Sequence, residues 1–439
     1  MYIFYIFCYL FSFLCIAFFR LLCYDVIVFI ASFSSKLNQE DQNVKKRLTG
    51  LLACALAIGG AALYGYGGVQ SNSTKEAGPD TQVAATKTEE SFIAQPYVAS
   101  PSVNGDYQSP LVTLRADPYL YKHTDGKYYF TGSYPEYDRI ELTCADSVNG
   151  IAAAVPKTVW QLPEDEKPQW VVNQQGQTVK EFYRYVWAPE IHYVMGKWVI
   201  YYARSMGSLW NIKCCALVLN GDDPMHDEWV NMDVVEKTKD DDVSFNNMSL
   251  DMTVFENNGK WYAIWAQIRP NSNLYIAELE SPTKLKTKPV LITQPEYDWE
   301  KVNHIVNEGP AVLKHAGKIF VAFSAAGTGA EYCMGLLEID ETDDPMDVVN
   351  WKKYSEPVFK TNESLQIYGP GHNCFVEGDE GEQLCVVHFR NYKDITGDSL
   401  LDYNRHAHVM KITFDRNGLP QFHFDPDDLY NTSFNNHGK

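Results

Sequence analysis

The run Asn307-Glu308-Gly309-Pro310-Ala311-Val312-Leu313-Lys314-His315-Ala316-Gly317-Lys318-Ile319-Phe320-Val321-Ala322-Phe323 is the clearest copy of a unit that recurs along the chain. It reads as a carboxylate, a short apolar strand, a tight turn at Ala316-Gly317-Lys318 and a second, strongly apolar strand. Asp117 precedes Gly126 by nine residues, Asp251 precedes Gly259 by eight, Glu308 precedes Gly317 by nine, and His372 precedes Gly381 by nine. Glu190 leads the remaining unit at a shorter offset, six residues before Gly196. The turn glycines at 126, 196, 259, 317 and 381 lie 70, 63, 58 and 64 residues apart, an internal repeat of about sixty residues in five copies.

A hairpin unit of this kind cannot bury both faces alone, so repeated copies close radially. The expected fold is therefore all-β, a five-bladed β-propeller. If the residue before each hairpin starts its blade's innermost strand, the five polar residues converge at one end of the central channel.

The 439 residues can be absorbed largely by one propeller, so length does not demand a second folded domain. A net charge of −19 argues against a nucleic-acid surface and suits a self-repelling protein with a neutral substrate. Residues 2–33 are almost wholly apolar apart from Arg20 and Asp25, long enough to cross a bilayer as a helix. Lys45-Lys46-Arg47 then precedes a second apolar run from Leu48 to Tyr64, the form of a secretory signal or an uncleaved anchor. The positive flank places everything after Tyr64 outside the cytoplasm, with contact to a membrane only through the N-terminal segment. The resulting division is an apolar leader over 1–66, a flexible Ser/Thr/Ala/Glu/Gln-rich tether over 67–104, the propeller over 105–430 and a tail over 431–439. Of ten cysteines, Cys8, Cys15, Cys23 and Cys54 fall in the leader. The rest show no Cys-x-x-Cys metal pattern and read as buried free thiols.

Three blades open on an acid: Asp117, Asp251 and Glu308. A single strand-end acid more often caps backbone N–H groups than does chemistry, but three at one repeat phase form a set. Glycoside cleavage needs two carboxyl groups with different tasks, one protonated to assist the departing oxygen and one ionised to act at the anomeric carbon. A third acid beside the pair raises the pKa of the group that must keep its proton.

With these motifs in place the chain resembles glycoside hydrolase family 43, five-bladed propellers that hydrolyse arabinose- and xylose-containing polysaccharides. The resemblance rests on Arg115-Ala116-Asp117-Pro118-Tyr119, Trp187-Ala188-Pro189-Glu190-Ile191-His192, Ser249-Leu250-Asp251, Asn307-Glu308-Gly309-Pro310, Gly369-Pro370-Gly371-His372-Asn373 and Arg405 before Gly418-Leu419-Pro420. It implies an inverting single displacement with Asp117 as general base, Glu308 as general acid and Asp251 tuning and orienting Glu308. Inversion requires the base and acid carboxyl groups to stand roughly 6.5 to 9.5 Å apart, leaving room for a water. The stretch from Gly132 to Leu142 resembles the first blade of α-L-arabinofuranosidases that remove terminal, often 1,5-linked, residues from plant cell-wall oligosaccharides or polysaccharides. β-Xylosidase or endo-arabinanase activity, and a non-catalytic sugar-binding propeller, are the alternatives.

The resemblance puts Arg405 at the sugar pocket, where its fixed donors could hold hydroxyl oxygens. Trp187 reads equally as a sugar-stacking wall and as blade packing. His372 is expected on the channel axis in contact with water or an ion. No cofactor is required, and a structural calcium ion in the channel is the one metal the resemblance allows; the sequence contains no Asp set with calcium-loop spacing.

Overall fold

The computed structural model describes residues 107–173 and 176–424. The leader, the tether, the tail and the outermost residues of the expected 105–430 domain lie outside the described residues. Among the described residues no helix is long and apolar enough to cross a membrane.

Five antiparallel sheets follow one another along the chain. The first holds β1 (Ala116–Lys122), β2 (Tyr128–Ser133), β3 (Arg139–Ala145) and β4 (Lys157–Gln161). A separate hairpin, β5 (Gln169–Val172) and β6 (Thr178–Glu181), precedes the second sheet. That sheet holds β7 (Val186–Val194), β8 (Lys197–Ser205), β9 (Ile212–Asn220) and β10 (Glu228–Val234). The third holds β11 (Ser249–Asn257), β12 (Lys260–Ile268) and β13 (Ser272–Ser281), with β14 (Lys284–Leu285) and β15 (Val290–Thr293) both pairing β13. The fourth runs β16 (Asn307–His315), β17 (Lys318–Ala325), β18 (Cys333–Asp340) and β19 (Lys352–Lys353). The fifth runs β20 (Tyr368–Glu377), β21 (Gln383–Arg390) and β22 (His406–Lys411), followed by a short ribbon of β23 (Thr413–Phe414) and β24 (Pro420–Gln421).

In each sheet the first strand touches the first strands of its neighbours, so β1, β7, β11, β16 and β20 surround the axis. The fold is the expected five-bladed β-propeller. The ring is closed by the start of the domain. Leu111 and Val112 donate N–H bonds to Ala407 O at 2.8 and 3.3 Å, and Ala407 returns one to Val112 O, so residues before β1 extend the fifth blade outside β22.

Radial closure explains why second strands such as β17, Lys-Ile-Phe-Val-Ala-Phe-Ser-Ala, are apolar almost throughout rather than alternating. Both faces of a blade are covered by neighbouring blades, and the period-2 alternation of side chains decides which neighbour each residue meets. Ile319, Val321 and Phe323 pack with Ile264, Leu274 and Ile276 of the third blade. Phe320 and Ala322 pack with Cys385, Val387 and Phe389 of the fifth. The same division repeats around the ring, with Ala263 and Trp265 meeting Val199 and Tyr201, Ile200 and Tyr202 meeting Ile140 and Leu142, and Leu384 and Val386 meeting Leu120 and Phe130. Each fully buried Val, Leu, Ile or Phe side chain among them contributes about 1.5–3 kcal/mol by leaving water. Cys144, Cys214, Cys215, Cys333, Cys374 and Cys385 are all free thiols and all but Cys144 are buried, as expected from their spacing.

Candidate active site

Every inner strand is interrupted near its start. The pairing with the second strand shifts between Ala116 and Tyr119, Trp187 and Glu190, Leu250 and Thr253, Glu308 and Ala311, and around Gly371. At each shift one residue takes a left-handed backbone: Asp117 (φ 53°), Ala188 (φ 44°), Asp251 (φ 55°), Gly309 (φ 54°) and, at the two shifts of β20, Gly369 (φ 61°) and His372 (φ 45°). These bulges bend the strand and re-aim the side chains around them. They also refine the repeat seen in the sequence. Asp117, Asp251 and His372 occupy the left-handed position itself, whereas in the fourth blade Gly309 holds it and Glu308 stands one residue earlier. In the second blade the left-handed residue is Ala188, and Glu190 lies two residues deeper along β7, which accounts for its shorter offset.

Four groups surround the Asp117 carboxylate. Its Oδ2 accepts a hydrogen bond from Ser133 Oγ at 2.5 Å, and the same Ser133 oxygen accepts the Ala188 N–H at 2.8 Å, tying the first blade to the second. Its Oδ1 lies 3.2 Å from His372 Nδ1, 3.5 Å from His388 Nδ1 and 3.7 Å from Arg405 Nη1. The Asp117 N–H donates to His388 Nδ1 at 3.0 Å, which requires that nitrogen to be unprotonated. His388 is correspondingly neutral, its pKa driven well below the ordinary value by burial and by Arg405. Burial pushes the Asp117 pKa up, but His372, Arg405 and the Ser133 hydrogen bond outweigh it and hold the carboxyl down at about 2.

The opposite side behaves in the opposite way. Asp251, 2% exposed, accepts the Gly309 N–H on Oδ2 at 3.0 Å, so the third blade's acid grips the left-handed glycine that follows Glu308. Glu308 keeps part of its surface open, and its Oε1 accepts a hydrogen bond from Tyr332 Oη at 2.8 Å. Burial raises the pKa of both carboxyl groups; Glu308 further raises Asp251, to about 8, and Asp117 raises both. Burial and the neighbouring negative charge both favour the protonated forms, so the pair holds a proton more tightly than free carboxyl groups do.

His372 joins the two sides. Its Nδ1 lies 3.2 Å from Asp117 and 4.0 Å from Asp251, its N–H donates to Ser324 Oγ at 2.6 Å, and its ring packs against Gly309, where an added Cβ would come within 3.1 Å of His372 Cγ. Burial lowers its pKa, but Asp117, Asp251, Glu308 and Glu190 together raise it, which favours an imidazolium. Where the sequence led us to expect contact with water or an ion, Nδ1 faces two acids. No group of three His, Cys, Asp or Glu side chains that could hold a metal ion occurs among the described residues, so the calcium ion the resemblance allows is unconfirmed.

Arg405, 4% exposed, donates from Nη2 to Tyr137 Oη at 2.8 Å, while its Nε has no hydrogen-bond partner. Trp187 is 8% exposed and stacks on Tyr185 at 4.4 Å and 21°, with Tyr137 edge-on at 5.8 Å; its indole N–H is likewise without a partner. Trp187 thus packs against Tyr185 and Tyr137 and leaves a buried donor unpaired. Glu190 is engaged elsewhere, bonding His192 Nε2 at 2.9 Å, with Tyr119 Oη 3.2 Å from His192 Nδ1.

Sequence reasoning missed Ser133, Tyr137, Tyr332 and His388. Ser133 and Tyr137 lie inside the Gly132–Leu142 stretch that carried the first-blade resemblance, so a signal was present. Tyr332 and His388 come from the third-strand loop and second strand of other blades, and nothing in the repeat marks them.

A propeller whose inner strands bring three carboxyl groups of divergent acidity to one end of the channel has the build of a glycoside hydrolase. Residues 107–420 match the model of Glycosyl hydrolases family 43, and the chain belongs to that family. It is 39% identical over 330 residues to an extracellular exo-α-(1→5)-L-arabinofuranosidase of Streptomyces avermitilis, the match covering 74% of this chain and 64% of that protein. It is 38% identical over 337 residues to α-L-arabinofuranosidase 43 of Humicola insolens, covering 75% of this chain and 66% of that one. The matched part therefore spans just under two thirds of either relative. Among solved structures, an α-L-arabinofuranosidase from Lactobacillus brevis superposes with a TM-score of 0.65 at 42% identity, covering 72% of this chain and 96% of that one.

Proposed function

We propose that this chain is an exo-acting α-L-arabinofuranosidase that releases terminal α-L-arabinofuranosyl residues from arabinan or arabinoxylan fragments with inversion. The observation that carries the reading is the opposed acidity within one cluster, Asp117 held down at about 2 while Glu308 is raised. The names of the relatives support the sugar and the linkage.

In the proposed reaction Asp117 takes a proton from water as the water oxygen bonds to the anomeric carbon. The bond from that carbon to the leaving oxygen breaks, and the leaving oxygen takes the proton of Glu308. Asp251 orients this acid through the Gly309 N–H and, by its own charge, keeps the proton on the pair. Arg405 Nε and the Trp187 indole N–H are the donors we assign to sugar hydroxyl groups. His372 acts on Asp117 rather than on the sugar, and no step uses a metal.

The substrate is then a neutral plant cell-wall oligosaccharide or polysaccharide, in keeping with the net charge of −19. We place the propeller outside the cytoplasm, exported or tethered through residues 1–66 and 67–104, since two Streptomyces relatives are named extracellular. Proton NMR of the first products from a panel of arabino- and xylo-oligosaccharides tests the proposal. Release of β-L-arabinose from chain ends is expected; α-L-arabinose would overturn inversion, xylose or internal cleavage would overturn the activity, and no turnover across the panel would favour a sugar-binding propeller.

A further inference from the structure

The aromatic wall beside Arg405 continues beyond the groups the proposed reaction uses. Tyr137 stands on the Arg405 guanidinium through its hydroxyl, meets Trp187 edge-on at 5.8 Å and Tyr185 at 5.7 Å, and Trp187 and Tyr185 stack on each other. Trp210 lies across both, 5.4 Å from Tyr185 and 6.2 Å from Trp187 at 61° to each, and is 54% exposed. Its three partners in this ladder are each under 9% exposed, so the wall begins dry at the acids and ends with one indole in water.

Trp210 does not hang from a loose loop. The β8–β9 turn closes with Met206 N–H to Asn211 O at 2.8 Å, Asn211 N–H to Ser208 O at 3.1 Å and the Asn211 side-chain amide to Met206 O at 2.6 Å. Ser205 Oγ donates to Leu209 O and accepts the Tyr185 N–H at 2.9 Å, and Arg184 Nη2 donates to Gly207 O at 2.8 Å. The turn is thereby fastened to Arg184 and Tyr185, the residues that lead into β7 and Trp187. A large aromatic ring held in place and left half in water offers a flat apolar face at little further entropic cost to a partner. Sugar rings present C–H faces of matching shape and need no charge on the platform. Trp170, at 67% exposed, reaches the wall only through Lys180, which lies 6.0 Å from Trp170 and 5.9 Å from Phe182, so its ring is already occupied by a cation.

We propose that Trp210 is the platform for the leaving-group part of the substrate, stacking a sugar residue beyond the bond that is cut and favouring linear neutral arabino-oligosaccharides over short substrates. This rests on the arabinofuranosidase reading, because the wall matters only if its inner end is the cutting point. The discriminating quantity is the ratio of kcat/KM for α-1,5-arabinotetraose to kcat/KM for an aryl α-L-arabinofuranoside, whose leaving group is a single ring. Trp210→Ala is expected to lower that ratio roughly fivefold, mainly through KM for the tetrasaccharide, with Trp210→Phe recovering most of the loss. Trp170→Ala should change the ratio by less than about twofold. An unchanged ratio for Trp210→Ala, an equal loss on both substrates, or equal losses from Trp210→Ala and Trp170→Ala would overturn the platform while leaving the activity standing. Wild-type protein that turns over neither substrate would instead overturn the arabinofuranosidase reading and the platform with it. Circular dichroism and Tm of the variants separate a folding loss from a binding loss.

Discussion

The two sides of the cluster receive the same chemical group and treat it in opposite ways. Around Asp117 the first and fifth blades supply a hydroxyl, an arginine and a histidine whose positive charge or donated proton suits a carboxylate. Around Asp251 and Glu308 the fourth blade supplies one backbone N–H and one tyrosine hydroxyl to two carboxyl groups that also repel each other. Burial is common to both and pushes every acid upward, so it cannot be what separates them. The distinction lies in which side the cations stand on. His372 is 3.2 Å from Asp117 and 4.0 Å from Asp251, and Arg405 reaches Asp117 at 3.7 Å.

Removing the ionised side should have the largest effect. Asp117→Asn keeps the shape and the Ser133 contact but has no proton-accepting charge, and kcat should fall by about 10²–10⁴ on any arabinofuranoside. Retention of more than a tenth of wild-type kcat would break the comparison outright. Removing the protonated side should discriminate. With Glu308→Gln, substrates with poor leaving groups should lose about as much as with Asp117→Asn, while aryl substrates with good leaving groups, which depart with little help, should lose far less. A uniform loss across a leaving-group series would show that Glu308 is not the proton donor.

The third test exchanges charge for shape. Asp251 is raised to about 8, far above the ordinary carboxylate value of 3.8. The folded state therefore binds a proton that the unfolded chain has released, and stability declines as pH rises from roughly 4 towards 8. Asp117 has the opposite sign: depressed to about 2, its pairing is fully present above roughly 4 and is lost as pH falls through 2. Asp251→Asn should thus raise Tm at pH 8 by about 2 °C or more, the shift that 1 kcal/mol produces in a domain of this size. The same change removes a like charge facing Glu308, so the alkaline limb of kcat/KM should move to lower pH. Stability that falls at pH 8, or a limb that moves up, would place the proton elsewhere than on this pair.

How much of this was readable beforehand follows from what each feature demands of a residue. The five hairpin turns were legible because each needs a left-handed residue at a fixed place, and Gly126, Gly196, Gly259, Gly317 and Gly381 all have φ between 76° and 85°. The bulges of the inner strands make the same backbone demand but are filled by Asp, Ala, Asp, Gly and His; at Asp117, Asp251 and His372 the contacts of the side chain outweigh the strain of its backbone. No residue type marks them, and so the one-residue displacement of Glu308 from the phase of Asp117 was invisible. Ring closure through Val112 was likewise illegible, since a single bridge leaves no alternation to detect. The acids themselves stood out by their phase. The groups around them did not: Ser133 and Tyr332 reach the acids from later segments of the same blade and His388 reaches Asp117 from the fifth, at sequence distances that the topology alone sets.

Tyr332 supplies the smallest and sharpest test. Its hydroxyl donates to Glu308 Oε1 at 2.8 Å, a contact that favours the ionised acid and so works against the burial that keeps Glu308 protonated. Its ring is fixed independently of that bond, lying parallel to His388 at 5.7 Å and so close to Gly371 that a Cβ there would come within 2.3 Å of Tyr332 Cε1. Tyr332→Phe should therefore leave the packing in place and remove a single hydrogen bond of about 1 kcal/mol, raising the Glu308 pKa and carrying the alkaline limb of kcat/KM to higher pH by less than one unit. The acid limb, governed by Asp117, should stay where it is. Opposite displacements of the alkaline limb by Tyr332→Phe and Asp251→Asn, with the acid limb unmoved in the former, would assign that limb to Glu308. Displacement of both limbs together by Tyr332→Phe would mean that the two sides are held by one coupled network and not by separate sets of neighbours.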